Sequence, residues 1–264
     1  MMRKGNKGKY VAYRMLAVMG MALLPLAGCG KQERQPEKTV LIREEEVKPK
    51  YAQILVAESP EASDEEADNP AGVLQESLGN VMVKIRAGNL GGSGVILEAD
   101  NEYLWIATAL HVLDHLEDVV KITFEDGFEV ETSKVLKAEN QDLALLKVDR
   151  AALVDGETDH GKEYRLARYS QEAYDGAAVG DLVIAMGSKS GVGEDAYAGI
   201  LLQDYVYSED FGSYVLVADV AVKPGMSGGA LFDARGNLLG ILCGTAENGE
   251  VAVAPAIGLM TMGR

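Results

Sequence analysis

With 264 residues, 47% of them apolar, the chain has material for one or two domains and a sizeable core. Its 30 glycines, set against 6% aromatic residues, point to many turns and short strands. A formal charge of −16 argues against nucleic acid as a partner, because phosphate binding needs a basic face, and it bears on solubility rather than fold.

Residues 1–28 read as a targeting segment. Arg3, Lys4, Lys7, Lys9 and Arg14 form a basic start with no acidic residue, and 15–26 is an apolar run too short to span a bilayer comfortably. The run ends in Leu26-Ala27-Gly28-Cys29, which resembles a bacterial lipobox. That resemblance implies cleavage before Cys29 and a lipid on the cysteine; several acyl chains hold firmly at ~0.8 kcal/mol per buried CH₂. Loss of the five basic residues takes the charge from −16 to −21, so an anionic membrane repels the protein and the lipid must hold it. Residues 29–72 read as the lipidated cysteine and an acidic, disordered tether, with 47–57 transiently helical or strand-like.

From Val73 the composition changes, and 73–264 reads as the folded domain. Six strands are expected at 80–86, 94–99, 103–109, 119–124, 128–136 and 143–148, separated by turn signals such as Asp100-Asn101 and Asp126-Gly127. They make a first barrel over about 78–150, followed by a polar connector at 151–176. A second set, at 181–186, 196–207, 214–222, 230–233, 237–243 and 250–255, makes a second barrel over about 177–258. Asp233-Ala234-Arg235-Gly236-Asn237 reads as a hairpin turn. The fold class is all-β: two six-stranded antiparallel barrels with a cleft between them.

Pro224-Gly225-Met226-Ser227-Gly228-Gly229 is the stretch with chemistry in it. Gly225 reaches conformations closed to residues with a Cβ, which lets the N–H groups of Gly225 and Ser227 turn toward one point where an oxyanion can sit. A glycine-rich turn with a solvent-facing serine has the same composition. A nucleophilic serine needs an imidazole base, and the base needs a carboxylate. There are three histidines, and His111 is delivered by the apolar run 104–110. Asp142 opens the apolar run 142–148; Asp126 and Asp149 lie in the same region as alternatives. The order His111, Asp142, Ser227 excludes the α/β-hydrolase elbow, in which acid and histidine follow the serine. Asp100 meets the subtilisin order, but the strand–helix alternation of a parallel sheet is missing. His115 sits four residues after His111 without a third metal ligand, and His160 lies in the connector; both read as surface residues. Cys243 reads as a free buried thiol in a strand.

The chain is similar to trypsin-like serine proteases of the bacterial HtrA (DegP-like) type. The similarity rests on Gly92-Ser93-Gly94-Val95-Ile96-Leu97, Ala107-Thr108-Ala109-Leu110-His111-Val112, Asp142-Leu143-Ala144-Leu145-Leu146-Lys147-Val148 and the stretch 219–231, and spans roughly 78–258. It implies a two-barrel fold, a His111–Asp142–Ser227 triad and an oxyanion hole from Gly225 and Ser227, with polypeptide substrates and neither cofactor nor metal. By position, Ala221 falls at the base of the primary specificity pocket, where its small side chain implies a small or medium apolar substrate residue. The sequence departs from the family at Met226, where Asn or Asp is usual, and at Ala230, where Pro is usual; ordering of the oxyanion loop must then come from packing or from substrate. A C-terminal peptide-binding (PDZ) domain is not expected, and homo-oligomer formation is not legible. The expected protein is a serine endopeptidase anchored by lipid to a bacterial membrane outside the cytoplasm. The competing expectation is a silent trypsin-fold binding module.

Overall fold

Alternating burial builds the first sheet of the computed structural model, which describes residues 53–58, 69–114, 116, 119–153, 163–188 and 194–262. Cys29, His115 and His160 lie outside these residues, as does the whole targeting segment. Strand β1 (Gln53–Val56) precedes helix α1 (Pro70–Leu78), and the sheet follows as β2 (Met82–Ala87), β3 (Leu90–Ala99), β4 (Tyr103–Thr108), β5 (Val120–Phe124), β6 (Glu129–Thr132), β7 (Val135–Lys137) and β8 (Ala144–Asp149). In β5 and β6 every second residue is buried, as a strand with one face on a core requires. Strands β3 and β4 are buried along most of their length, because both of their faces are covered.

The antiparallel order is β6-β5-β2-β3-β4-β8-β7. Only Ser133 and Lys134 separate β6 from β7, so the two ends of this sheet are one bent strand. At the bend Thr132 Oγ1 donates to Lys147 O (2.6 Å) and Lys147 N donates to Lys134 O (3.0 Å). The sheet thereby curls into a barrel. The single strand expected at 128–136 is split because its first half pairs with β5 and its second with β8.

After β9 (Glu163–Leu166) and the short helix α2 (Gln171–Asp175), the second barrel comprises β10 (Leu182–Ser188), β11 (Glu194–Ser208), β12 (Ser213–Asp219), β13 (Ala230–Asp233), β14 (Leu238–Thr245) and β15 (Val251–Pro255). It closes in the order β10-β11-β12-β15-β14-β13, and helix α3 (Ile257–Met260) follows. The hairpin at 233–237 forms as expected: Asp233 Oδ1 accepts from Arg235 N and Asn237 N, both at 2.8 Å, and Gly236 takes φ +76°. Strand β12 stops earlier than expected, and 220–229 peels away as the loop that carries Ser227.

One element lies in the stretch whose composition is that of a tether, and a second begins at its end. Strand β1 pairs in parallel with β9, and Ala57 beyond it is 2% exposed. Its Ile54-Leu55-Val56 core has the strand preference that the acidic surroundings obscure. Helix α1 starts with Asn69 Oδ1 accepting from Gly72 N (3.1 Å) and Pro70 in its first turn, and it buries Ala71, Leu74 and Leu78 on one face.

One apolar cluster runs through both barrels, joining Val83, Ile106 and Leu145 to Ile184, Phe232 and Ile241; a second is built from second-barrel residues, among them Val183, Leu216, Met226 and Val253. Each fully buried side chain of this size contributes roughly 1.5–3 kcal/mol. The cleft between the barrels is therefore a seam in a common core.

Candidate active site

Strand β4 is buried to its last residue, after which Ala109 stays extended and a single 3₁₀ turn, Leu110–Leu113, turns His111 outward. Val112 and Leu113 hold that turn down, both nearly fully buried. Asp142 sits on the loop before β8, fixed by buried Leu143, whose N–H donates to Gln141 O (2.8 Å). The two residues meet twice. His111 Nδ1 lies 2.7 Å from Asp142 Oδ2, and the His111 backbone N–H donates to Oδ1 at 2.9 Å. With Nδ1–H on the carboxylate, Nε2 is left as the basic atom of the neutral ring.

The hydrogen bond to Asp142 raises the His111 pKa; burial opposes it, and the charges of Asp142 and Asp114 add to it. Burial pushes Asp142 upward, but the His111 hydrogen bond and charge, the His111 N–H and the Cys243 thiol outweigh it and hold the carboxyl below its ordinary value. Near neutral pH Asp142 is thus the anion and His111 the group that titrates.

The other carboxylates are engaged elsewhere. Asp149 pairs with Lys134 at 2.7 Å on the surface, Asp126 caps Phe128 N, and Asp100 accepts from the N–H groups of Glu102 and Tyr103.

Ser227 is carried by a loop held against the first barrel. Met226 N donates to Lys223 O (3.1 Å), closing a turn with Pro224 second and Gly225 third, and Gly225 takes φ +98° as a type II turn demands. Gly228 takes φ +82°, and a Cβ there would stand 2.3 Å from both Ser93 O and Thr108 Oγ1. The Ser227 carbonyl and the Val112 side chain crowd the same side of Gly92, each 2.8 Å from where its Cβ would be. The serine's segment and the histidine's turn thus share one wall. Among the described residues no hydrogen bond joins Ser227 Oγ to His111; nucleophile and base commonly close to bonding distance only when substrate binds.

The N–H groups of Met226, Gly228 and Gly229 are bonded to Lys223 O, Leu242 O and Met226 O. Those of Gly225 and Ser227 meet no acceptor among the described residues. These are the two groups expected to face an oxyanion. Met226 is 1% exposed in the second apolar cluster, with Gly187 against its backbone and Lys223 N donating to its Sδ (3.3 Å). Packing of Met226 thus seats this loop in the absence of the usual polar residue.

A cavity of about 570 Å³ opens beside His111, with Leu110, Asp142, Phe211 and Cys243 among its walls. Asp114, Glu139 and Asp210 make its lining acidic. The Phe211 ring lies 3.7 Å from where a Cβ of Gly244 would be, so an aromatic from the β11–β12 hairpin covers the bare backbone of β14. Ala221 is exposed on the 220–229 loop and is not part of this cavity. Sequence reasoning missed Phe211; it read Cys243 as a free buried thiol in a strand, as the structure has it, but did not place it beside Asp142. No local pattern marks either residue, because each reaches the site through strand pairing.

The fold and site define a class. A family profile described as a trypsin-like peptidase domain matches residues 92–241, more than half of the chain, and the chain belongs to that family. Within it, the chain is 31% identical over 153 residues to the periplasmic serine endoprotease DegP of Escherichia coli (strain K12), covering 57% of this chain and 29% of DegP. It is also 31% identical over 153 residues to a probable periplasmic serine protease do/HhoA-like of Haemophilus influenzae, covering 57% and 30%. The chain thus spans under a third of the length of these relatives. Among solved structures, the HtrA-type protease AlgW with tripeptide superposes with a TM-score of 0.56 at 25% identity, over 71% of this chain and 60% of AlgW. An inactive form of Rv3671c from M. tuberculosis H37Rv superposes with a TM-score of 0.56 at 21% identity, over 77% and 94%, a likeness of fold.

Proposed function

We propose that this protein is a serine endopeptidase acting outside the cytoplasm on unfolded or exposed polypeptide, held to a bacterial membrane by lipid on Cys29. The observation that carries the reading is the double engagement of Asp142 by His111 through Nδ1 and the backbone N–H, which leaves Nε2 as the base. Nε2 takes the Ser227 Oγ proton as Oγ attacks the substrate carbonyl carbon. The developing oxyanion accepts hydrogen bonds from the Gly225 and Ser227 N–H groups, and the imidazolium, stabilised by Asp142, returns its proton to the leaving amine. Water then repeats the sequence on the acyl-enzyme. Ala221 favours a small or medium apolar residue before the scissile bond, and the cavity walled by Phe211 receives neighbouring substrate residues.

The extracytoplasmic placement is supported by the relatives called periplasmic and by the targeting segment. No helix among the described residues is long and apolar enough to cross a membrane, and the proposed anchor is the lipid. Fluorophosphonate labelling tests the chemistry. Wild type should label and degrade unfolded casein, while Ser227→Ala and His111→Ala should do neither. An unlabelled wild type would instead identify a silent binding module of the same fold. Release of Cys29→Ser from the membrane fraction, or accumulation of its unprocessed precursor there, tests the anchor separately.

A further inference from the structure

Ser93 is fully buried in β3, where the first barrel meets the loop of the second, and all of its polar groups are engaged there. Its N–H donates to the Ser227 carbonyl at 2.7 Å, and its own carbonyl accepts from Thr108 Oγ1 at 2.8 Å. Its hydroxyl takes the Ser188 N–H at 2.7 Å and lies 2.6 Å from the Gly225 carbonyl. The direction of that last bond is forced. An N–H can only donate, so the hydroxyl accepts from Ser188 and its single proton must go to Gly225.

One residue of the first barrel therefore holds the carbonyls of both Gly225 and Ser227, the two residues whose N–H groups are left available. Packing of Met226 cannot replace this hold, because apolar burial is non-directional and fixes how deep the loop sits without fixing how its peptides are turned. Hydrogen bonds are directional and set that orientation. The base is built on the same frame, since His111 follows β4 and β4 pairs with β3.

We infer that Ser93 is a positioning residue for the oxyanion hole: its hydroxyl holds the Gly225–Met226 peptide and its N–H the Ser227–Gly228 peptide, each adjoining a peptide that carries a free donor, and so registers the nucleophile's loop to the barrel that carries His111. The inference rests on the proposal that Ser227 is the nucleophile. Donors serve an oxyanion only within a few tenths of an ångström of hydrogen-bond distance, and a misplacement of ~1 Å costs on the order of 100-fold in rate.

The test is Ser93→Ala in the full chain, read as kcat and KM on a peptide substrate, as the rate of fluorophosphonate labelling, and as a melting curve. A fall of about 10- to 100-fold in kcat and in labelling rate is expected, with KM within about twofold, a folded protein, and an acid limb of the pH profile where wild type has it, because His111 and Asp142 are untouched. Labelling at the wild-type rate would overturn the inference, and so would a loss carried by KM or a displaced acid limb. If Ser93→Ala does not fold, Ser93→Gly, which also lacks the hydroxyl and adds no atom, is read by the same criteria. The two proposals fail differently: equal labelling of wild type and Ser227→Ala refutes the nucleophile, whereas its loss only in Ser227→Ala, with Ser93→Ala at the wild-type rate, refutes the positioning role alone.

Discussion

Cys243, on strand β14 of the second barrel, places its thiol beside the carboxylate of Asp142, which belongs to the first. Both residues line the cavity next to His111, and Cys243 is 3% exposed. Burial and then the Asp142 charge push the Cys243 thiol well above its ordinary pKa, so it stays protonated, with Ile241 O 3.6 Å from its Sγ and the Asp142 carboxylate nearby. A neutral, buried group of the second barrel thus lines the same cavity as the Asp142 carboxylate.

Replacing the thiol removes the last-named of the influences that hold the Asp142 carboxyl down, and should weaken the acid without dismantling the site. A hydrogen bond to a charged group is worth about 1.5–3 kcal/mol, and a thiol is a weak donor that belongs at the low end. Cys243→Val should lower kcat/KM by about tenfold, while Cys243→Ser should stay within about threefold. Native protein should react slowly with thiol reagents and quickly once unfolded in urea. Equal rates in the serine and valine variants would remove the thiol from the account.

The pH profile should carry the sign of the His111 shift. A base must be neutral, and Asp142 raises the His111 pKa above 6.5, so the acid limb of kcat/KM should lie above that value. Asp142→Asn removes the main cause of the rise: the limb should move down, and the plateau should fall by about 10⁴ because the amide favours the wrong tautomer. For stability the same shift favours the folded state below pH 6.5, and this contribution fades as pH rises through the raised value. Asp142 works oppositely, stabilising above its ordinary carboxyl range and losing that contribution as pH falls through its lowered value. Rate profiles from about pH 4 to 9, and melts carried down to about pH 2, for both forms, check all three signs.

Met226 should tolerate apolar exchange and reject charge. At 1% exposure, Met226→Leu should cost under ~1.5 kcal/mol and keep activity. Met226→Asp, the residue usual in trypsins, would bury a carboxylate in an apolar cluster and should cost several kcal/mol, visible as a lower urea midpoint. A stabilised or more active aspartate variant would contradict the packing account of the loop.

Phe211 should act on substrate binding. Phe211→Ala uncovers Gly244 and removes one wall of the cavity beside His111. KM should rise by about 5- to 30-fold, the worth of roughly 1–2 kcal/mol of apolar contact, with kcat little changed. A loss confined to kcat would place the ring in the chemistry instead.

Much of this arrangement is legible along the chain, because strands announce themselves through apolar runs and turns through glycine. The runs ending at His111 and starting at Asp142 lie where the structure has β4 and β8, and the second barrel's strands fall close to their expected spans. What is not legible depends on which strand lies beside which. The pairing of β1 with β9 joins an acidic leader to a polar connector, and neither composition mentions the other. The thiol of Cys243 and the ring of Phe211 gain their neighbours only when the second barrel closes. Ser93 is readable as part of a motif, yet its bonds to Gly225 and Ser227 follow from docking one barrel against the other.

The apolar cluster that passes from Val83 through Ile184 to Ile241 belongs to neither barrel alone. Opening the cleft like a pair of jaws would expose that cluster to water, so adaptation to different substrates falls to the loops around the cleft, the Phe211 hairpin among them. Mechanically the two barrels are a single block with a scored face, and cutting the chain between them should yield two fragments that cannot fold apart.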